Sequence, residues 1–227
     1  MDNLKSTLIN NNWFTDSELK TLLNSEIDKC IKECVRPNKE EIFSAFDGLK
    51  PQQVKVLIIG QDPYPDKNNN KIAHGLAFSS KNNSICPDSL TKIFEEIKRE
   101  YQNCEFNSNN LLSWKEQGVL LLNTALTYSP NIDVNDSAKI WKDFVNAVID
   151  KILSKNNPIV VMLWGDKAKK AFGRRSYDDK NVLILKSSHP KPRLLKHDTF
   201  KGCNHFIKCN DFLKTKDIEI IQWWKTN

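Results

Sequence analysis

Glycine is scarce in this chain, with 7 among 227 residues. No glycine-rich phosphate loop can be drawn through them, which removes the usual nucleotide-binding α/β enzymes from consideration. No apolar run approaches the length of a membrane span. The first residues, Met1 to Trp13, are polar and asparagine-rich, without the basic start and apolar middle of a secretory signal. The expectation is therefore a protein that is not secreted and has no membrane partner. Cysteines at positions 30, 34, 86, 104, 203 and 209 follow neither a disulfide framework nor the pairs of a zinc or iron–sulfur site. They read as reduced, partly buried thiols, and no metal ligands are assigned.

What remains is an ordinary globular balance, 39% hydrophobic and 27% charged. The length suits one sizeable core, so residues 1–227 read as a single domain with N-terminal helical segments over 1–50 packed on it. The net charge of +6 is weak evidence for a polyanionic partner by itself. Its distribution says more. Lys180 to Lys201 carries six Lys/Arg against one Asp, and Lys167 to Arg175 carries five and no acid.

Four apolar, β-branched runs stand out: Val54–Ile59, Val119–Leu122, Ile159–Leu163 and Val182–Leu185. They are continuous rather than alternating, as in strands buried on both faces of a parallel sheet. Amphipathic helical patterns separate them. Leu90, Ile93, Phe94, Ile97 and Tyr101 share one face, as do Ile140, Trp141, Phe144, Val145, Val148, Ile149 and Ile152. A shorter one runs from about Asp166 to Phe172, and Asp16–Glu33 and Lys39–Phe46 also look helical. The asparagine-rich stretches 10–12, 68–70 and 107–110 read as loops. The order predicts an α/β fold: three layers, α/β/α, around a central four-stranded, mostly parallel sheet.

Ligands of such sheets bind beyond the carboxyl ends of the strands. The first strand runs into Gly60-Gln61-Asp62-Pro63-Tyr64, the second into Asn123-Thr124, the third into Trp164-Gly165, and the fourth into Ser187-Ser188-His189-Pro190. Singly, Asp62-Pro63 and His189-Pro190 read as turn punctuation and Asn123 as a loop cap. Together they put a carboxylate, a carboxamide and an imidazole on one rim beside two basic runs. His74 reads as structural, His197 as a solvated loop residue, and His205 as the start of a helix.

Four motifs in order, Gly60-Gln61-Asp62-Pro63-Tyr64, Ala73-His74-Gly75-Leu76-Ala77-Phe78-Ser79, Leu120-Leu121-Leu122-Asn123-Thr124 and Ser188-His189-Pro190, resemble those of the family 1 uracil-DNA glycosylases. Weaker matches from Arg36-Pro37 through Pro87-Asp88-Ser89-Leu90 to Gly202-Cys203-Asn204-His205-Phe206 extend the resemblance over most of the chain. It implies an enzyme that flips uracil out of DNA and hydrolyses its bond to the sugar. Asp62 and His189 would be catalytic, while Gln61, Tyr64, Phe78 and Asn123 would hold the base. Ser89, Gly165, Lys191, Arg193, Leu194 and Leu195 would meet DNA. The resemblance further implies no cofactor and no metal, a monomer acting on single- or double-stranded uracil-containing DNA, a DNA-mimicking protein inhibitor as a partner, and a cytoplasmic location or wherever the genome is replicated. No lysine falls on a motif position for covalent catalysis, so cleavage of the DNA backbone is not expected.

This chain departs from the pattern in three places. The stretch from Asp62 to Phe78 is about three residues long in excess, with 66–71 as a polar bulge. The Gly-Ser pair that contacts phosphate is Gly165-Asp166. The His-Pro-Ser-Pro-Leu loop reads His189-Pro190-Lys191-Pro192-Arg193-Leu194-Leu195, so the leucine that wedges into the base stack has two candidates beside Arg193. These departures leave a second reading, a DNA-binding or processivity subunit on the glycosylase fold.

Overall fold

The computed structural model describes residues 2–65, 71–191 and 200–226. Its centre is a sheet of four strands, β1 (Val56–Gly60), β2 (Val119–Asn123), β3 (Ile159–Trp164) and β4 (Val182–Ser187), in the order β2-β1-β3-β4. Every pairing is parallel, so the mostly parallel expectation sharpens to an all-parallel sheet. β1 begins two positions later than the apolar run suggested. Pro51–Gln53 forms a 3-10 turn, and the Val54 N–H is spent on Pro51 O at 3.3 Å rather than on a neighbouring strand.

Alternate strand residues face opposite sides, which is why the strands are apolar throughout. Leu57, Ile59, Leu120, Leu122, Val161 and Leu163 pack into one core, while Val56, Ile58, Leu121, Val160 and Met162 pack into the other. The first core is covered by α1 (Asp2–Asn10), α2 (Asp16–Leu22) and α3 (Ser25–Lys32) from the N-terminal segment. Thr15 caps α2 in a capping box with Glu18, and Asn24 caps α3. The second core is covered by α4 (Asp88–Glu100) and α5 (Leu112–Glu116). The helix expected over 140–152 is two: α6 (Val134–Ile140) and α7 (Lys142–Leu153), broken at Trp141. α7 and α8 (Asp166–Phe172) complete the first layer, and α9 (His205–Thr215) completes the second.

The helical segments expected over 1–50 resolve into more elements than the pattern marked: residues 2–10 form a helix of their own, 16–33 holds two short helices, and Lys39–Phe46 holds two 3-10 turns, Lys39–Glu41 and Ser44–Phe46. Among the described residues no helix is long and apolar enough to cross a membrane. All six cysteines are free thiols.

The chain leaves β1 toward β2 on one side and enters β3 and β4 on the other. This makes the crevice between the carboxyl ends of β1 and β3 the switch point, where open α/β sheets bind ligands.

Candidate active site

Gly60, the last residue of β1, lies opposite Asn123, the last residue of β2. A β-carbon at Gly60 would come 2.3 Å from Asn123 Oδ1 and 2.7 Å from Ala77 Cβ. Only glycine lets the carboxamide lie over the strand end. The next turn is stitched to β2 by three bonds. Thr124 N–H donates to Gly60 O at 3.0 Å, and Ala125 N–H and Thr124 Oγ1 donate to Gln61 O at 2.9 and 2.7 Å.

Asp62 follows this anchored peptide, half-buried. Burial pushes its carboxyl up to about 6, against the opposing pull of a hydrogen bond from the Gln61 side chain and the positive charge of Lys167. It is therefore largely ionised at neutral pH yet weakly solvated. Tyr64 donates its hydroxyl to Phe78 O at 3.2 Å, and burial holds the phenol far above its ordinary range.

Phe78 is buried and sits at φ 64°, a left-handed backbone that costs a bulky residue about 1–3 kcal/mol. The segment before it is docked on β2 by Ala77 N–H donating to Leu121 O at 3.1 Å. His74 Nε2 meets Ser79 Oγ at 2.7 Å, and that oxygen also accepts the Leu111 N–H at 2.9 Å. Burial lowers His74 to about 4, so it is neutral and structural, as expected.

Asn123 is 8% exposed. Among the described residues its carboxamide has no hydrogen-bond partner, although its atoms are not sealed from solvent. A buried, unpaired amide with an open edge is what a polar ligand would satisfy. A cavity of about 10 Å³ behind it, lined by Phe46, Gly75, Leu122 and Leu126, has room for a single water and not for a base.

Gly165, after β3, has φ +88° and packs directly on His189, whose Cβ would lie 3.0 Å from a β-carbon there. The ring centroid of His189 is 6.0 Å from that of Phe78, and the Trp164 ring lies 5.5 Å from Phe78. Burial lowers the His189 pKa, so the ring is neutral. Its Nδ1 lies 3.1 Å from both the Lys191 N–H and the Lys191 carbonyl. When the N–H donates, the ring proton stays on Nε2.

The structure thus brings Gln61, Asp62, Tyr64, Phe78, Asn123 and His189 to one rim. The DNA-contact residues are less uniform. Ser89 is half-buried in the first turn of α4, and Lys191 is ion-paired with Asp88 beside it. In the basic run after β3, Arg175 is engaged by Asp150 at 2.8 Å and Asn146 at 2.6 Å, while Lys167 donates to Asn135 Oδ1 at 2.5 Å. Arg193, Leu194, Leu195 and His197 lie outside the described residues, as do 66–70 of the polar bulge. Where the chain is described again, Glu96 accepts the Gly202 and Asn204 N–H groups at 2.9 and 3.2 Å, and Arg99 bridges Glu96 and Asn204.

The sequence reading assigned no role to Gly60, Thr124 or Trp164, although all three lie in the strand-end segments that form the rim. The partner of Thr124 was not legible, because it lies 63 positions away. Trp164 also donates Nε1–H to His205 Nδ1 at 3.0 Å, tying β3 to the start of α9.

Residues 46–214 match the sequence profile of the uracil DNA glycosylase superfamily. A uracil-DNA glycosylase of Dictyostelium discoideum is 41% identical over 93% of this chain, which spans 64% of that longer protein. One from Francisella philomiragia is 39% identical over 85% of this chain and 86% of its own. Among solved structures, the mimivirus uracil-DNA glycosylase superposes with a TM-score of 0.75 at 26% identity, covering 98% of this chain and 86% of the other. With the profile spanning most of the sequence and relatives near 40% identity, the chain belongs to the uracil DNA glycosylase superfamily.

Proposed function

We infer that this protein is a monofunctional uracil-DNA glycosylase of the family 1 type, hydrolysing the N-glycosidic bond of uracil in DNA to leave free uracil and an abasic site. The observation that carries this is the buried Asn123 carboxamide, without a partner among the described residues, at the strand end beside Gly60, whose following turn bears Asp62.

A uracil inside a duplex is unreachable, so it must be extruded. Phe78 stacks on the extruded ring. The Asn123 amide donates to O4 and accepts from N3–H. Cytosine presents the reverse pattern, and leaving a buried amide mismatched discriminates by roughly 10⁴–10⁵. Tyr64, tied to the Phe78 carbonyl, fills the space beside C5 and leaves none for a methyl group.

As the N1–C1′ bond breaks, its electron pair moves onto the base, largely to O2, and the sugar becomes oxocarbenium-like. His189 Nε2–H and the Gln61 N–H donate to O2 as an oxyanion hole does. The Asp62 carboxylate stabilises the cation and orients a water. The water oxygen bonds to C1′ and its proton passes to Asp62.

The reading also makes the protein a monomer, acting where replicating DNA is held, with DNA on the rim through Ser89, Gly165, Lys191 and the 193–195 loop. A DNA-mimicking inhibitor would compete for that rim; a variant of the mimivirus enzyme has been solved in complex with UGI. The test is incubation of pure protein with a uracil-containing oligonucleotide in excess EDTA. Alkali-labile abasic sites are expected at uracil. Their absence, with binding retained, would favour the clamp or adaptor reading instead.

A further inference from the structure

We propose that Thr124 is a positioning residue, whose hydroxyl locks the turn carrying Asp62 to the strand end carrying Asn123. The proposal rests on the uracil-excision reading and names a residue that reading does not use.

The geometry is specific. Asn123 is the last residue of β2, and Thr124 follows it, 7% exposed. Its N–H holds Gly60 O at 3.0 Å, and its Oγ1 holds Gln61 O at 2.7 Å, shared with Ala125 N–H at 2.9 Å. Both peptide planes flanking Gln61 are therefore fixed from one neighbouring strand end. The plane before Gln61 sets where its N–H points, and the plane after it sets the Asp62 backbone. The Gln61 side chain in turn bonds the Asp62 carboxylate. Gly60 and Asn123 are register partners, so there is no slack between the two exits. A base held by the Asn123 amide is thereby held at a defined offset from the carboxylate. The chemistry needs such an offset, because misplacement by about 1 Å can lose roughly 10²-fold in rate. Thr124 touches no substrate in this scheme; it acts through Gln61.

The test compares Thr124→Ala with Thr124→Ser in the full-length protein. On a single-stranded uracil oligonucleotide, Thr124→Ala should lower kcat roughly five- to tenfold, the worth of one hydrogen bond, with KM within about twofold of wild type. Thr124→Ser should restore kcat. The Asp62 carboxyl, followed by carbon NMR, should titrate at higher pH in Thr124→Ala and at the wild-type position in Thr124→Ser. That titration needs no turnover, so it separates this proposal from a failure of uracil excision itself. An alanine variant with wild-type kcat and Asp62 titration overturns the proposal. So does a serine variant as impaired as alanine, which would assign the effect to the missing methyl group. If alanine lowers thermal stability, the serine comparison and the titration still decide.

Discussion

Gly60 and Asn123 face each other across the β1–β2 pairing, and the Asn123 side-chain oxygen occupies the place a Gly60 β-carbon would take, 2.3 Å away. Gly60→Ala should therefore displace the carboxamide and, through a 2.7 Å approach to Ala77 Cβ, push on the segment that carries Phe78, while the backbone of Gly60 itself is not left-handed. Uracil excision is expected to fall by about 10²-fold or more, with uracil binding weakened to match. Steady-state kinetics beside a melting curve checks this. A Gly60→Ala enzyme with normal kcat/KM would mean that Asn123 does not read the base from this position.

The pH dependence has a defined sign. Burial raises Asp62 to about 6. In the proposed mechanism Asp62 acts as a carboxylate, so kcat/KM should climb as pH rises through about 6 and level off above it. His189 must be neutral, and its lowered pKa puts its own limb on the acid side. Asp62→Asn and His189→Ala should each lose at least about 10²–10³ in rate with the fold intact, and activity should survive EDTA. A flat profile from pH 4.5 to 8, or normal turnover in either variant, would remove these roles.

The proposed function assigns base choice to two residues. Asn123→Asp should gain some cytosine excision, because a protonated carboxyl can present the reversed donor and acceptor. Tyr64→Ala should open the space beside C5 to thymine. The readout is abasic-site formation opposite guanine and adenine. If neither variant attacks a normal base and both still cut uracil at full rate, the pocket assignment fails.

Lys191 is held by Asp88, and this changes what its removal should do. Asp88→Asn should free the ammonium for phosphate, tightening duplex binding and steepening its salt dependence. Lys191→Ala with Arg193→Ala should weaken binding to all sequences and flatten the log–log salt slope by about 0.9 for each phosphate no longer neutralised. Leu194→Ala with Leu195→Ala should slow excision from duplex far more than from single strands, since only the duplex resists extrusion. Equal effects on the two substrates would end the wedge assignment. An unchanged slope in the basic pair would shift attention to Lys167.

Glu100 gives a stability prediction. Its Oε2 accepts the Ile207 N–H at 2.7 Å, and burial, with the neighbouring Glu96 carboxylate adding to the effect, raises its carboxyl to about 7. The folded state then holds a proton that the unfolded chain gives up near its ordinary value of 4.5. Stability from this group is lost as pH rises from about 4.5 to about 7, then stays constant. Glu100→Gln should remove that loss. Its melting temperature relative to wild type should be several degrees more favourable at pH 8 than at pH 5. A difference that does not change with pH would show Glu100 to be ionised throughout.

The sheet was legible because Ile58, Leu121, Val160 and their neighbours form unbroken apolar runs, and the rim because each run ends in polar residues. The division of the helix at Trp141 was not. Trp141 is fully buried, so the hydrophobic period passes straight through it. The break reflects its indole donating to Thr127 Oγ1 at 2.9 Å and a backbone turned to ψ −6°. α1 was missed because its sequence is polar; among its side chains whose burial is described, only Leu8 is fully buried. The Lys191–Asp88 pair could not be read either, because nothing local connects residues 103 positions apart.

The bond from Tyr64 to the Phe78 carbonyl has a thermal consequence. A side chain that excludes a methyl group by occupying space is only as selective as it is stiff, because thymine needs a momentary displacement rather than a new bonding partner. Tethering the phenol to the backbone of the stacking residue couples that displacement to movement of a buried ring. Selectivity against thymine should then decay with temperature as a gate with its own activation enthalpy, separate from that of uracil excision.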